Sequence, residues 1–195
     1  MDRPVALAIT FTLAAVVAGC SSSPTHFYTL SATAAPSTAS SKISVAVGPV
    51  SIPAAVDRPQ IVVSTSANQV TLDDFNRWAA PLQDNLTRVV AENLVALLGT
   101  PRVTLFPQTL SADVDYRVQI EIRNFESAPG KSALIDAVWT VRRARDGKTE
   151  TGRTSAREQV DGNGYDALAA AHSRAVARLS RDIADVVRAL DGAAS

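Results

Sequence analysis

Val114-Asp115-Tyr116-Arg117-Val118-Gln119-Ile120-Glu121-Ile122 places an apolar residue at every second position. Side chains alternate between the two faces of an extended strand, so this stretch predicts a strand with one face buried and one wet. Ile135, Ala137, Trp139 and Val141 repeat the period after a turn at Pro129-Gly130. Asp146-Gly147 then marks a tight hairpin into a polar strand over Thr149–Val160. Three successive strands with short connections predict an antiparallel meander. Earlier in the chain, Ile43, Val45 and Val47 alternate in a strand ending at Gly48-Pro49, and a proline-punctuated loop spans Ser51–Pro59. Gln60–Ser64 and Gln69–Leu72 are strand-like runs flanking a turn at Thr65-Ser66-Ala67-Asn68. From Pro81, a residue suited to the first helical position, Leu82, Leu86, Val89, Val90, Leu94, Leu97 and Leu98 form a helical stripe closed by Gly99. Val103–Phe106 follows as a short strand, and strand–helix–strand suggests a parallel crossover. Tyr165, Leu168, His172, Val176, Leu179, Ile183, Val187 and Leu190 step by three or four, a long last helix with Gly192 just beyond. The expected fold is therefore a single α/β domain, with a mixed sheet, antiparallel in its second half, covered by two long helices.

The amino terminus has a different character. Arg3 is followed by an apolar run from Val5 to Val17, interrupted only by Thr10 and Thr12. That length suits a signal-peptide core and falls short of the ~20 apolar residues needed to span a bilayer. The run ends in Val17-Ala18-Gly19-Cys20, which holds the single cysteine of the chain and resembles a lipobox. Cleavage after Gly19 would leave Cys20 to carry a diacylglycerol on sulfur and a fatty acid on its new amino end. Several acyl chains, at ~0.8 kcal/mol per buried CH₂, anchor a protein stably where one holds it marginally. Ser21, by resemblance to the enterobacterial sorting rule in which Asp retains a lipoprotein in the inner membrane, implies outer-membrane delivery. The expected organisation is a signal peptide at 1–19, a lipidated segment at 20–41 and one domain at 42–195. Within 20–41, Ser21–Thr25 is a polar tether and Phe27–Leu30 a short strand. Ser31–Ser41, made only of Ser, Thr, Ala and Pro, reads as a loop too small and polar to pack.

The 195 residues carry 19 basic and 19 acidic side chains, and the leader removes one of each, Arg3 and Asp2. That balance argues against a nucleic-acid partner, which favours a basic excess. With 46% apolar residues the chain can build a core without disulfides. Signals for catalysis are poor. Of the two histidines, His26 lies at the tether and His172 on the apolar stripe of the last helix, where it reads as a core residue. No His-Glu-x-x-His or Gly-x-Ser-x-Gly occurs, and no metal or other cofactor is expected. Asp161-Gly162-Asn163-Gly164-Tyr165-Asp166 lacks the fifth-position ligand and closing Glu of a calcium loop, and reads as a turn capping the last helix. Asp73-Asp74 and the Asp113/Asp115 pair read as solvated helix-entry and strand-edge charges. The sequon Asn85-Leu86-Thr87 falls inside the first predicted helix and reads as coincidence.

One set of motifs carries further information. Val47-Gly48-Pro49-Val50-Ser51-Ile52-Pro53 is followed by Asp57-Arg58-Pro59-Gln60-Ile61-Val62-Val63, then Phe75-Asn76-Arg77-Trp78-Ala79 with Pro81-Leu82, and Ala91-Glu92-Asn93-Leu94. With Phe27-Tyr28-Thr29-Leu30 after the lipobox, this resembles the ABC-type transport auxiliary lipoproteins, the paraquat-inducible protein C-like family of Gram-negative bacteria. The motifs run to about Phe106, and beyond that the likeness rests on element order. The resemblance implies a non-enzymatic lipoprotein, anchored in the outer membrane and facing the periplasm. It implies partnership with an MCE-domain protein and an inner-membrane permease in a lipid transport system that maintains envelope integrity. The sequence is silent on oligomeric state, and a homo-oligomeric ring around a conduit is a guess rather than part of the resemblance. Docking the periplasmic conduit to the outer membrane is the implied role. Asp57, Arg58, Pro59, Gln60, Arg77 and Trp78 are the motif residues that could face a partner. The alternative for Arg58, Pro59 and Trp78 is a buckle between loops, with the guanidinium stacked on the indole. A rival function is an envelope-assembly or small-ligand-binding lipoprotein outside any transporter. An anchored hydrolase would need a nucleophile–base pair, which the motifs do not supply.

Overall fold

The alternating strand at the centre of the sequence runs further than its apolar pattern. In the computed structural model, which describes residues 24–107 and 113–192, β1 covers His26–Tyr28, β2 Val45–Ser51, β3 Gln60–Ser66 and β4 Gln69–Trp78. Helix α1 covers Leu82–Leu98, followed by β5 at Val103–Leu105, β6 at Tyr116–Ala128, β7 at Ser132–Arg143, β8 at Thr149–Gln159 and α2 at Tyr165–Gly192. The signal peptide 1–19, Cys20 and the first residues of the tether lie outside the described residues.

Tyr116, Val118, Ile120 and Ile122 of β6 are buried, as the period requires. A register shift between Ile122 and Asn124 then reverses the phase, so that Phe125 and Ser127 take over the inward face. Ala133, Ile135, Ala137, Trp139 and Val141 bury the matching face of β7. The five-stranded sheet has the order β5-β2-β6-β7-β8, with β2 parallel to both neighbours and β6-β7-β8 forming the antiparallel meander. Helix α1 packs on β2 and β5, α2 packs on β6, β7 and β8, and the helices touch each other. The mixed α/β architecture covered by two long helices is thus present.

Several local expectations change. The strands form two sheets, because β1, β4 and β3 make a separate three-stranded one in which β1 runs parallel to β4. The parallel crossover therefore joins β2 to β5, by way of the β3–β4 hairpin and α1. Strand β2 does not stop at Gly48-Pro49 but shifts register there, since proline has no N–H to give the ladder. Strand β4 continues to Trp78, six residues beyond the apolar alternation that marked it. Pro81 sits one position before α1, with ψ at 131°, and its carbonyl accepts the Asn85 N–H at 3.0 Å.

Ser31–Ser41 has no regular structure but does pack. The segment crosses the helix pair as a strap. Leu30 at its root is buried, and Ser31 N–H donates to Ser173 Oγ at 3.1 Å. Thr33 N–H and Ala34 N–H both donate to Asn93 Oδ1, at 3.1 and 3.0 Å. Ser37 N–H and Ser41 N–H donate to Ala96 O and Gly99 O. At Gly99, with φ at +63°, a Cβ would come within 1.9 Å of the Ala39 carbonyl oxygen. A chain of small polar residues cannot bury much area, so hydrogen bonds to helix side chains and free carbonyls hold it instead.

Candidate functional site

The six motif residues, about twenty positions apart in sequence, meet at one corner of the small sheet. Tight turns deliver the first group: Val56 N–H donates to Pro53 O at 3.0 Å and Arg58 N–H to Val56 O at 2.9 Å, with the Val56 side chain buried. The Pro59 carbonyl accepts the Trp78 N–H at 2.8 Å, and Gln60 is the register partner of Arg77. Asp57, Arg58, Pro59 and Trp78 then line a cavity of about 380 Å³, completed by Ala79–Leu82. What brings the second group round is a bulge in β4. Between the pairs Ile61–Asp73 and Gln60–Arg77 that strand carries three extra residues, and Asp73 Oδ1 holds the fold by accepting the N–H groups of Phe75 and Asn76 at 3.0 and 2.9 Å.

Trp78 is 5% exposed. Its ring meets Phe125 and His172 edge-on, with centroids 6.2 and 6.3 Å away, and Phe125 stacks on His172 at 4.0 Å. These rings, rather than the Arg58 guanidinium, are the aromatic partners of the indole, so the expected cation–π stack is replaced by an aromatic cluster reaching the core. The link between the two segments is the backbone bond from Trp78 to Pro59. His172 is fully buried, and its Nε2 lies 2.8 Å from Ser127 Oγ while Nδ1 has no partner. Burial alone pushes its pKa down to about 3, so the ring is neutral.

The paired acids have structural employment. Asp73 Oδ2 accepts the Tyr165 hydroxyl at 2.6 Å, which ties β4 to the start of α2. Asp115 Oδ2 accepts both the N–H and the hydroxyl of Ser44, at 2.8 and 2.6 Å. Both carboxyls resist the upward push of partial desolvation and are held below the usual range by these donated hydrogen bonds. Asp73 and Asp74 lie in β4 rather than at a helix entry, and Asp73 anchors its turn. Asp115 holds Ser44 and still stands exposed beside the first residue of β6, as a strand-edge charge does, and Asp74 and Asp113 are exposed as expected. Asp161 pairs with Arg174 at 3.1 Å beside the turn into α2. Among the described residues no group of three or more His, Cys, Asp or Glu side chains could hold a metal ion. Among them, too, no helix is long and apolar enough to cross a membrane. Asn85, of the sequon, is buried within α1.

The sequence reading missed the residues that staple the strap. Asn93 gives its Oδ1 to two strap amides and donates through Nδ2 to Ser180 Oγ at 3.3 Å. Arg88 reaches Leu30 O and Asn85 Oδ1, both at 2.8 Å, and pairs with Glu92. A signal was available: Asn93, Ser173 and Ser180 are polar residues inside otherwise apolar helix faces, where an unpaired polar group is costly.

Comparison with known proteins bears on the whole chain. The family model described as the ABC-type transport auxiliary lipoprotein component matches residues 28–184. No curated protein matches. Two solved structures share the fold. One, an uncharacterized protein, is 20% identical with a TM-score of 0.70, over 85% of this chain and 99% of that one. The other, from Xanthomonas campestris, is 18% identical with a TM-score of 0.69, over 87% and 99%. The match runs from the last residue of β1 through the whole of α1 and the large sheet to Ala184 within α2, and the chain therefore belongs to the ABC-type transport auxiliary lipoprotein component family.

Proposed function

We propose that this lipoprotein is the non-enzymatic outer-membrane subunit of an MCE-type trans-envelope lipid transport system with an ABC-type permease, docking the periplasmic conduit at the outer membrane. The observation that carries the reading is the convergence of Asp57, Arg58, Pro59, Gln60 and Arg77 around the buried Trp78. The Pro59–Trp78 backbone bond and the aromatic cluster hold the base of this corner, which leaves the loop residue Arg58 exposed, where rigidly held loop groups serve recognition. Arg77 is half-buried beside it in β4, its Nε donating to Asp74 O at 2.9 Å. Crosslinking intact envelopes and purifying this protein should recover the MCE-domain protein. Arg58→Glu with Arg77→Glu should lose that partner while the melting curve stays within a few degrees of the parent. Recovery undiminished by the double change would remove these residues from the docking surface, and no MCE-domain protein in the parent pull-down would overturn the function. The cavity of about 380 Å³ beside Arg58 favours the second reading, a small-ligand-binding lipoprotein, since it lies within the size range of small-molecule sites. MCE and permease genes beside this one would decide against that reading.

A further inference from the structure

The large sheet ends on one side in a strand whose outer edge is open. β8 pairs with β7 along all 11 of its residues without a register shift, and no proline interrupts it. At the opposite edge of the sheet β5 has only 3 residues. Arg143 N–H donates to Lys148 O at 2.8 Å and Val160 N–H to Lys131 O at 3.1 Å, which fixes the alternation of the β7–β8 ladder from both ends. Glu150, Gly152, Thr154, Ala156 and Glu158 therefore bond β7, while Thr149, Thr151, Arg153, Ser155 and Arg157 turn their N–H and C=O groups outward. All five are exposed, and among the described residues no bond from another element reaches those groups. Only at Gln159 is a carbonyl taken, by Arg174 Nη2. An edge this long, without the bulge, proline or short length that usually blunts one, is a template for another strand.

The side chains along this edge say what kind of strand it takes. Thr154 reaches Asp182 of α2, so the alternate residues Arg153 and Arg157 stand on the face away from the helices, where their side chains are 63% and 55% exposed. The other residues of β8 on that face, Thr149, Thr151, Ser155 and Gln159, are uncharged. Arg153 gives Nε and Nη2 to Asp136 of β7 at 2.9 and 2.6 Å. Arg157 gives Nη1 to Ser132 at 2.9 Å, with Glu126 at 3.7 Å from Nη2. These partners all lie on the inner side of β8, and each guanidinium keeps a donor that they do not use. A second copy of the chain fits poorly. In the three longest antiparallel registers of β8 against itself, Arg153 faces Arg153, Arg153 faces Arg157, or Glu150 faces Glu158, and like charges directly opposite destabilise a pair. We propose that the free edge of β8 docks an extended segment of a protein partner, which joins the large sheet as a further strand and carries acidic side chains opposite Arg153 and Arg157. Main-chain bonds to the five open residues hold the segment, and charge-assisted bonds to the two arginines select it. The small sheet packs on β6, two strands away, so this surface is separate from the corner at Trp78.

The test uses the full-length protein in detergent micelles and two fluorescein-labelled peptides of about ten residues, long enough to pair along the open edge. Both alternate valine with threonine. One carries glutamate at two threonine positions four apart, and the other carries lysine there. By fluorescence anisotropy the glutamate peptide should bind about tenfold more tightly than the lysine peptide. Arg153→Gln with Arg157→Gln should erase that preference. Ser155→Pro removes an outward N–H and leaves the β7 ladder whole, so its melting curve should stay within a few degrees of the parent while the glutamate peptide binds several-fold more weakly. In the parent protein that peptide should slow hydrogen exchange at the amides of Thr151, Arg153 and Ser155. Binding without this protection, binding undiminished by Ser155→Pro, or a preference kept by the double variant would overturn the proposal. Failure of the glutamate peptide to bind the parent at millimolar concentration would do the same. Protection of those amides without peptide, growing with protein concentration, would give the edge to a second copy and likewise overturn it.

Discussion

His172 has no route to water, and its stability effect follows from that. Its folded pKa of about 3 lies below the ordinary 6.5, so the unfolded chain binds more protons at pH values between the two. The contribution is complete above about pH 6.5 and is lost as pH falls from there toward 3, at up to ~1.4 kcal/mol per unit. Asp73 and Asp115, whose pKa values are lowered, contribute above their unfolded value of 3.8 and lose that contribution only below it. Urea unfolding at pH 7 and pH 5 should therefore differ, and His172→Gln should abolish most of the difference. A difference of the same size in the variant would point to another group. His172→Leu carries a separate cost, because it leaves the buried Ser127 hydroxyl without its partner, about 1–3 kcal/mol. Adding Ser127→Ala should recover part of it. Gly152 shows the opposite constraint: a Cβ there would lie 2.3 Å from Trp139 Cζ2, in the ring whose Nε1 donates to Thr154 at 3.0 Å. Gly152→Ala should cost ~1–3 kcal/mol through overpacking, read by denaturant titration.

At the scale of elements, the strap is the feature that composition could not reveal. Its own residues carry no apolar period, so nothing local distinguishes it from a free linker. Its order comes from Asn93, Ser173 and the C-terminal carbonyls of α1, which are distant in sequence. Asn93→Leu would leave the Thr33 and Ala34 amides and the Ser180 hydroxyl without this partner. It should lower stability by ~1–3 kcal/mol and speed hydrogen exchange at Thr33 and Ala34 well before global unfolding. Unchanged exchange at those two amides would show that the strap is held elsewhere. The extension of β4 to Trp78 has a similar origin. Asp74-Phe75-Asn76 breaks the two-residue period, and the Asp73 carboxylate, the parallel partner β1 and the renewed pairing with Pro59 and Gln60 hold the chain extended beyond it.

For the whole molecule, Trp78 joins the small sheet to the main core together with Ile61 and Val62 of β3, which packs on β6. Trp78→Ala should cost ~3–5 kcal/mol, since it empties an aromatic site bounded by Phe125 and His172. Arg58→Ala should leave stability nearly unchanged and show little coupling to it in a double-mutant cycle, because the indole packs on other rings. A normal melting curve for Trp78→Ala with lost partner binding would instead move the indole to the docking surface. Cys20→Ser should yield protein that is unprocessed or absent from the outer-membrane fraction. A variant still cleaved after Gly19 and found in that fraction would disprove anchoring through the cysteine.

The sequence by itself determined the element types, the meander, the two covering helices, the core position of His172 and the family, because periodicity and motifs are local properties of the chain. What only the tertiary structure decided was the split into two sheets, the packing of the strap, the ring partners of Trp78 and the employment of Asp73 and Asp115. Each of these depends on a side chain meeting a partner dozens of residues away, a distance over which no local pattern carries information.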